Sequence, residues 1–267
     1  MSSPAPCIEL LCGTSRCKIS LFGAHVLSYQ HAGSEKLFVS KAAKLDGSRP
    51  IRGGIPVCWP WFGQMHPLIA DHRQAHGLVR NQLWQIDAQK TTTDASSITL
   101  SPTQNNHALW PLGLSVQLVI TLTSAQLSVT LISQNNSQSD YPLSAALHSY
   151  FAVDDIHTVC LTGITDLHRA QPSPYHIVQE VDVIHASKNA MGQQQHVTIQ
   201  SDGKTLTEVT HQGHDSLVVW NPWQDKTLAL VDMQDNEYVK MICIETALTQ
   251  GFILAQGQQH QLTQIIS

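Results

Sequence analysis

Two residues carry chemistry that their neighbours make costly. In residues 238–247, Tyr-Val-Lys-Met-Ile-Cys-Ile-Glu-Thr-Ala, period-two alternation puts Glu245 on one face with Val239, Met241, Cys243 and Ala247. Ile242 and Ile244 occupy the other face. Both faces are apolar, so a central strand is expected, and a carboxylate aimed into it is expensive unless paired or used. Desolvation would raise its pKa toward that of a working general base. Pairing with a buried Arg, or a place in water just past the strand end, are the structural alternatives. In residues 143–151, Leu143, Ala145, Leu147 and Phe151 share one face, and Ser144, Ala146, His148 and Tyr150 the other. Small residues before His148 leave room for a ligand above the sheet. Imidazole is the natural proton donor near neutral pH, although a lone strand His is more often a satisfied core or surface group.

Residues 51–63, Ile-Arg-Gly-Gly-Ile-Pro-Val-Cys-Trp-Pro-Trp-Phe-Gly, set Arg52 beside flat aromatic faces. Paired glycines and two prolines keep regular helix or strand from running through. A rigid irregular wall of this kind suits sugars, with Trp59 stacking on a pyranose face and guanidinium forking onto an anion. The alternative is a loop that plugs one end of a β core. Arg80 follows the glycine-containing segment His76-Gly77-Leu78-Val79. Two arginines converging on one cleft would bind phosphate or carboxylate, whereas pairing with an acidic side chain is the commoner fate of each. Trp220-Asn221-Pro222-Trp223 reads as a strand cap, or as a second sugar-facing loop.

The elements that must hold these residues are short strands. Residues 17–21, 24–29, 37–40, 82–87, 97–101, 143–153, 159–165, 216–220, 228–232, 238–247 and 262–266 have strand character, with fragments at 175–184 and 196–200. A single helical turn is expected at 41–45 and a polar rim loop at 64–74. The clearest pair is 114–123 with 126–133, alternating apolar and polar and joined by Ser124-Ala125 as a tight hairpin. Sustained helical periodicity, repeats and linkers are absent. Many short strands separated by turn signals predict an all-β sandwich or barrel and a single domain spanning residues 1–267.

Composition excludes several classes of function. The chain has 267 residues, 42% apolar, which supports a sizeable core, and only 13% charged. A formal net charge of −5 without a basic run argues against nucleic acid. No apolar run reaches the roughly 20 residues that span a bilayer, and the N-terminus lacks the pattern of a signal peptide. The six cysteines form no CxxC pair and the fifteen histidines are scattered along the chain, so no metal site is expected, and a reduced cytoplasmic setting fits.

Five segments occur in an order that resembles the hexose-6-phosphate mutarotases of the aldose 1-epimerase superfamily: residues 51–63 (IRGGIPVCWPWFG), 76–80 (HGLVR), 148–151 (HSYF), 219–223 (VWNPW) and 241–247 (MICIETA). The resemblance implies a galactose-mutarotase-like antiparallel β-sandwich (supersandwich) with its site on a concave face. It also implies interconversion of the α and β anomers of a hexose 6-phosphate without metal or cofactor. By that resemblance His148 is the catalytic histidine and Glu245 the catalytic glutamate, Arg52 and Arg80 hold the substrate, and His76 sits in the matching His-Gly motif. Residues 180–185 are similar to an E-x-D-R-V-Y segment, which makes Asp182 the sugar-hydroxyl-binding residue. Val183 stands where Arg is usual and His185 where Tyr is usual. Glu245 would take the proton of O1 while His148 donates to the ring oxygen. A monomer is expected. The competing readings are an aldose 1-epimerase for neutral hexoses, against which two converging cations argue, and a carbohydrate-binding protein, against which an inward acid and base argue. A glycosidase would need a second carboxylate across the scissile bond.

Overall fold

A computed structural model describes residues 5–64, 74–165, 174–187 and 193–267. Every named strand pairing in it is antiparallel, and helix is confined to Trp223–Leu228 and three 3-10 turns. No described helix is long and apolar enough to cross a membrane.

The largest layer is a nine-stranded sheet, ordered Tyr175–His176, Val159–Thr162, Gln195–Ser201, Lys204–Gln212, Gln259–Ile266, Leu127–Asn135, Leu114–Thr123, Ala95–Pro102 and Trp84–Thr91. Alternation builds it. Leu114, Val116, Leu118, Ile120 and Leu122 are buried while the residues between them are not, and Leu127, Val129 and Leu131 do the same across the hairpin. Each such side chain contributes about 1.5–3 kcal/mol on burial.

Above this layer lies a six-stranded sheet: Val181–Ala186, Ser216–Asn221, Met241–Leu248, Ala145–Leu147 and Val57–Cys58, with Tyr150–Ala152 also pairing to Met241–Leu248. Its strands Met241–Leu248 and Ala145–Leu147 pack on Gln259–Ile266. A four-stranded sheet, Cys7–Cys12, Ser15–Ser20, His25–His31 and Ser34–Glu35, covers Ala95–Pro102 and Leu114–Thr123. One apolar core runs between the layers and includes Ile19, Tyr29, Leu118, Val129, Leu147, Leu217, Ile242 and Ile244. Met241–Leu248 is buried along its whole length, as expected of a central strand.

Several sequence expectations need correction. The strand read at 143–153 is broken at His148 and Ser149, giving Ala145–Leu147 and Tyr150–Ala152. Residues 37–40 form only isolated bridges, from Leu37 to Phe151 and from Val39 to Gly53, and residues 41–42 only a turn. Residues 228–232 are not a strand, because the helix Trp223–Leu228 ends there and is followed by turns. The strand Lys204–Gln212 was not legible: its inward side chains include Thr207 and His211, so its alternation looks polar. Most of the rim loop read at 64–74 lies outside the described residues.

Candidate active site

The glycine- and proline-rich stretch does not sit apart from the sheet; it edges it. Cys58 and Val57 pair with Ala146 and Leu147, His148 N–H donates to the Pro56 carbonyl at 3.0 Å, and Tyr150 N–H to the Gly54 carbonyl at 2.9 Å. The backbone around His148 is thereby fixed on both sides. Gly54 has φ 62°, and a Cβ there would lie 2.1 Å from the Val26 carbonyl, so only glycine fits. Buried His25 donates from Nε2 to the Gly53 carbonyl at 2.7 Å, holding the turn that carries Arg52.

Cross-strand register lays out the cleft floor in rows. Asp182, Trp220, Cys243 and Tyr150 are successive partners in one row, and Ile184, Val218 and Glu245 in the next. His148, in the break between two strands, completes the second row: its Nε2 lies 3.3 Å from Glu245 Oε1. Small residues Ser216, Ala247 and Ala146 form the third. Over this floor opens a cleft of about 440 Å³, lined by Arg52, Phe62, His76, Arg80, His148, Tyr150, Asp182, Trp220, Lys226, Asp232 and Glu245, among others. Its size falls within the roughly 300–1,000 Å³ usual for small-ligand sites.

The structure thus brings together six of the seven residues singled out from sequence and separates one. Trp59 does not face the cleft. Its side chain is fully buried, its Nε1 donates to Ser133 Oγ at 3.1 Å, and its ring packs edge-on against Trp110. Trp61 is also buried. The aromatic wall is built instead by Phe62, Tyr150 and Trp220, whose rings surround His148, with Tyr150 stacked on the imidazole at 5.0 Å and 11°. Of these, Trp220 is the one the strand-cap reading had set aside. Asn221 Oδ1 accepts from Trp223 N–H where the strand Ser216–Asn221 gives way to the short helix.

Electrostatics follow from burial. Glu245 is 1% exposed, its Oε2 has no hydrogen-bond partner, and desolvation, helped by Asp182, pushes its pKa well above the usual carboxylate range. Burial, with His76, Arg52 and Arg80 adding to it, holds His148 well below the ordinary imidazole value. Burial thus favours the uncharged form of each, a carboxylic acid beside a neutral imidazole. His76, in a left-handed backbone conformation of φ 61°, is pushed down to about 3 by burial and by Arg80 and Arg52. Gly77 beside it pairs with Trp59, and a Cβ there would lie 2.0 Å from the Trp59 carbonyl.

The two arginines differ. Arg52 Nε donates to Asp232 Oδ1 at 3.1 Å and Nη1 to the Tyr150 hydroxyl at 3.0 Å, so much of its charge is answered within the protein. Arg80 has no ion pair to a carboxylate among the described residues. Its Nη2 donates to the Ala75 carbonyl at 3.0 Å, and its buried Nε has no partner. Asp182 faces the cleft while Val183 packs toward the core, and Lys226 reaches Asp182 at 3.1 Å and Glu180 at 3.3 Å across the rim. Asp232 and Lys226 had no sequence signal, because each is recruited from a turn or a one-turn helix.

A carboxyl and an imidazole that can pass a proton between them, in a cleft with aromatic walls, are suited to opening and closing a sugar ring. The aldose 1-epimerase family model matches residues 6–267. The chain belongs to the aldose 1-epimerase family. It is an isomerase-class enzyme whose substrate is a sugar. The chain is 31% identical over 265 residues to a protein of Cenchrus ciliaris, covering 89% of this chain and 77% of the relative. It is 28% identical over 241 residues to one of Escherichia coli K12, covering 87% and 79%. Both relatives are provisionally named glucose-6-phosphate 1-epimerases. A crystal structure from Salmonella typhimurium, provisionally described as a mutarotase, superposes with a TM-score of 0.84 at 23% identity, covering 97% of this chain and 89% of that one. That likeness confirms the galactose-mutarotase-like antiparallel fold expected from the sequence.

Proposed function

We propose that the enzyme interconverts the α and β anomers of a hexose 6-phosphate, glucose 6-phosphate among them, by reversible opening of the pyranose ring. The observation that carries this is the contact of His148 Nε2 with Glu245 Oε1 at 3.3 Å on a cleft floor that also meets Arg80 and Arg52. The names of the relatives supply the phosphorylated hexose.

The pair holds one proton. Its passage from Glu245 to His148 Nε2 gives a carboxylate base and an imidazolium acid, and mutual attraction of the two charges offsets part of the desolvation that opposes them. The sugar then enters with O1 at Glu245 and the ring oxygen at His148. Glu245 takes the O1 proton as His148 donates to O5, the C1–O5 bond breaks, and C1 becomes the aldehyde carbon. Rotation about C1–C2 presents the other carbonyl face, and the reverse transfers close the ring and return both groups to their starting forms. Atoms and protons balance with these two groups alone. Asp182 accepts from sugar hydroxyls, Trp220 offers the stacking face first assigned to Trp59, and Arg80, with His76 and Arg52 beside it, meets the phosphate.

A second reading, an aldose 1-epimerase for unphosphorylated hexoses, is favoured by one observation. Arg52 is already neutralised by Asp232, so among the described residues one unanswered guanidinium in the cleft, Arg80, is left for an anion. The acid/base assignment is tested by His148→Ala and Glu245→Gln. Each is expected to slow anomer exchange by at least about 100-fold, the lower end of what a positioned proton-transfer group contributes. Circular dichroism should stay unchanged. Near-unaltered exchange in either variant removes the assignment.

A further inference from the structure

Cys243, fully buried directly beneath the cleft beside Tyr150 and Met241, is a reactive side chain for which ring opening has no use. It occupies the same face of Met241–Leu248 as Glu245, flanked across the sheet by Tyr150 and Trp220. A ring nitrogen of His148, Cys243 Sγ and a Glu245 oxygen all lie within 4.8 Å of one another, and all three residues are buried or nearly so. We propose that His148, Cys243 and Glu245 form a binding site for a soft divalent cation of the Zn2+ type, which enters from the cleft and holds the enzyme in an inactive form.

Geometry and chemistry agree. Zinc with nitrogen and oxygen ligands at about 2.0–2.2 Å has tetrahedral edges of roughly 3.3–3.5 Å. The observed separation of His148 Nε2 and Glu245 Oε1 is 3.3 Å. A thiolate, an imidazole and a carboxylate select Zn2+ or Cd2+ over Mg2+ or Ca2+, which prefer oxygen. Glu245 Oε2, buried and without a hydrogen-bond partner, supplies the unsatisfied acceptor that a cation would answer. On binding, the His148–Glu245 pair gives its one proton to solvent and Cys243 its thiol proton, so two anionic ligands balance the 2+ charge. Two guanidiniums and Lys226 line the same cleft; Arg52 is paired with Asp232 and Lys226 with Asp182, while Arg80 has no ion pair among the described residues, so the charge that holds the cation comes from Cys243 and Glu245 themselves. His148 Nδ1 has no partner. Resident zinc ligands almost always have one, so binding is expected to be reversible by chelators.

Binding stands on this geometry alone, whereas inhibition rests on the acid/base reading given above. The test therefore uses two readouts. Chelator-treated protein is titrated with Cd2+ and with Co2+ while the thiolate-to-metal charge-transfer absorption is followed, and anomer exchange is measured against added Zn2+. Saturable absorption is expected with the unaltered chain, together with inhibition that a chelator reverses. In Cys243→Ser and Cys243→Ala, anomer exchange without metal should persist. The absorption should vanish, and Zn2+ should inhibit more than about 100-fold less tightly, since even losing a group that only orients a ligand costs roughly 10–100-fold. Cys7→Ser and Cys160→Ser, which remove the more accessible thiols, should change neither readout. Absence of the absorption in the unaltered chain overturns the site, as does absorption or inhibition that survives both Cys243 variants. Absorption that depends on Cys243 in a chain without anomer exchange supports the site and counts against the acid/base reading instead.

Discussion

At the scale of single residues, the site works by withholding solvent. Glu245 and His148 are pushed toward their uncharged forms by burial, in opposite pKa directions, which are the forms from which the proposed acid and base roles start. The arginines are where residue chemistry decides substrate. Arg80 keeps a buried Nε without a partner, while Arg52 is engaged by Asp232 and Tyr150. A hydrogen bond to a charged group is worth about 1.5–3 kcal/mol, and about 1.4 kcal/mol is tenfold. Arg80→Ala should therefore raise KM for a hexose 6-phosphate by about 10–100-fold while leaving KM for the free hexose nearly unchanged. Arg52→Ala should show the same preference at smaller size. Steady-state kinetics on both sugars checks this, and equal effects on the two would take the phosphate away from the arginines. His148 and Glu245 were legible in the sequence because period-two alternation fixes which face a strand residue shares. Trp59 was not, because Pro60 and the turn at residues 53–54 leave its direction to the tertiary packing that buries it against Trp110.

Among elements, the central fact is that the segments bearing the proposed acid/base pair are pinned from behind. Ser149 and Thr246, each next in sequence to His148 and Glu245, point away from the cleft. Ser149 Oγ donates to Gln264 Oε1, and Gln264 Nε2 donates to Thr246 Oγ1 at 2.9 Å and to the Ile244 carbonyl at 3.1 Å. His211 Nδ1 lies 2.8 Å from Thr246 Oγ1. A fully buried polar cluster thus ties the six-stranded sheet to the nine-stranded one. Gln264→Leu leaves Ser149, Thr246 and the Ile244 carbonyl short of partners, each at about 1–3 kcal/mol when buried and unsatisfied. Urea unfolding of this variant should show a midpoint lowered by the equivalent of at least about 1 kcal/mol with the slope unchanged; an unmoved midpoint contradicts the role given to the cluster. None of this could be read from the chain. Gln264 lies 115 residues from Ser149 and 18 from Thr246, and a Gln on an alternating strand looks like surface. The hairpin of residues 114–133 was readable for the opposite reason, since both of its strands are local and cleanly two-faced.

For the whole molecule, the notable burden is buried neutral histidine. His25, His76, His148, His211, His214 and His260 all have pKa values lowered in the folded state, chiefly by burial, with His25 and His214 at about 4. A depressed imidazole binds its proton more readily when unfolded. Its contribution is thus fully present above the unfolded value near 6.5 and shrinks as pH falls below it, by up to about 1.4 kcal/mol per pH unit for each residue. Glu245 has a raised pKa and acts the other way, its effect being present below the unfolded carboxylate value and lost as pH rises through the folded one. Six groups outweigh one, so stability should fall by several kcal/mol in all, more than about 3, between pH 7 and pH 5. Chemical denaturation across that range checks it, and a flat profile contradicts the burial described here. The layered all-β architecture was legible from strand spacing, but the composition gave no hint of this acid sensitivity, because histidine count says nothing of which imidazoles are enclosed.

The most direct test of the central claim is NMR exchange between the α and β C1 protons of a sugar in the presence of the enzyme, run with glucose 6-phosphate and then with glucose. Fast enzyme-dependent exchange on the phosphorylated sugar, far exceeding that on glucose and absent with Glu245→Gln, is the predicted result. Equal exchange on both sugars would reassign the enzyme to neutral hexoses, and sugar binding without any exchange would contradict the acid/base account of His148 and Glu245.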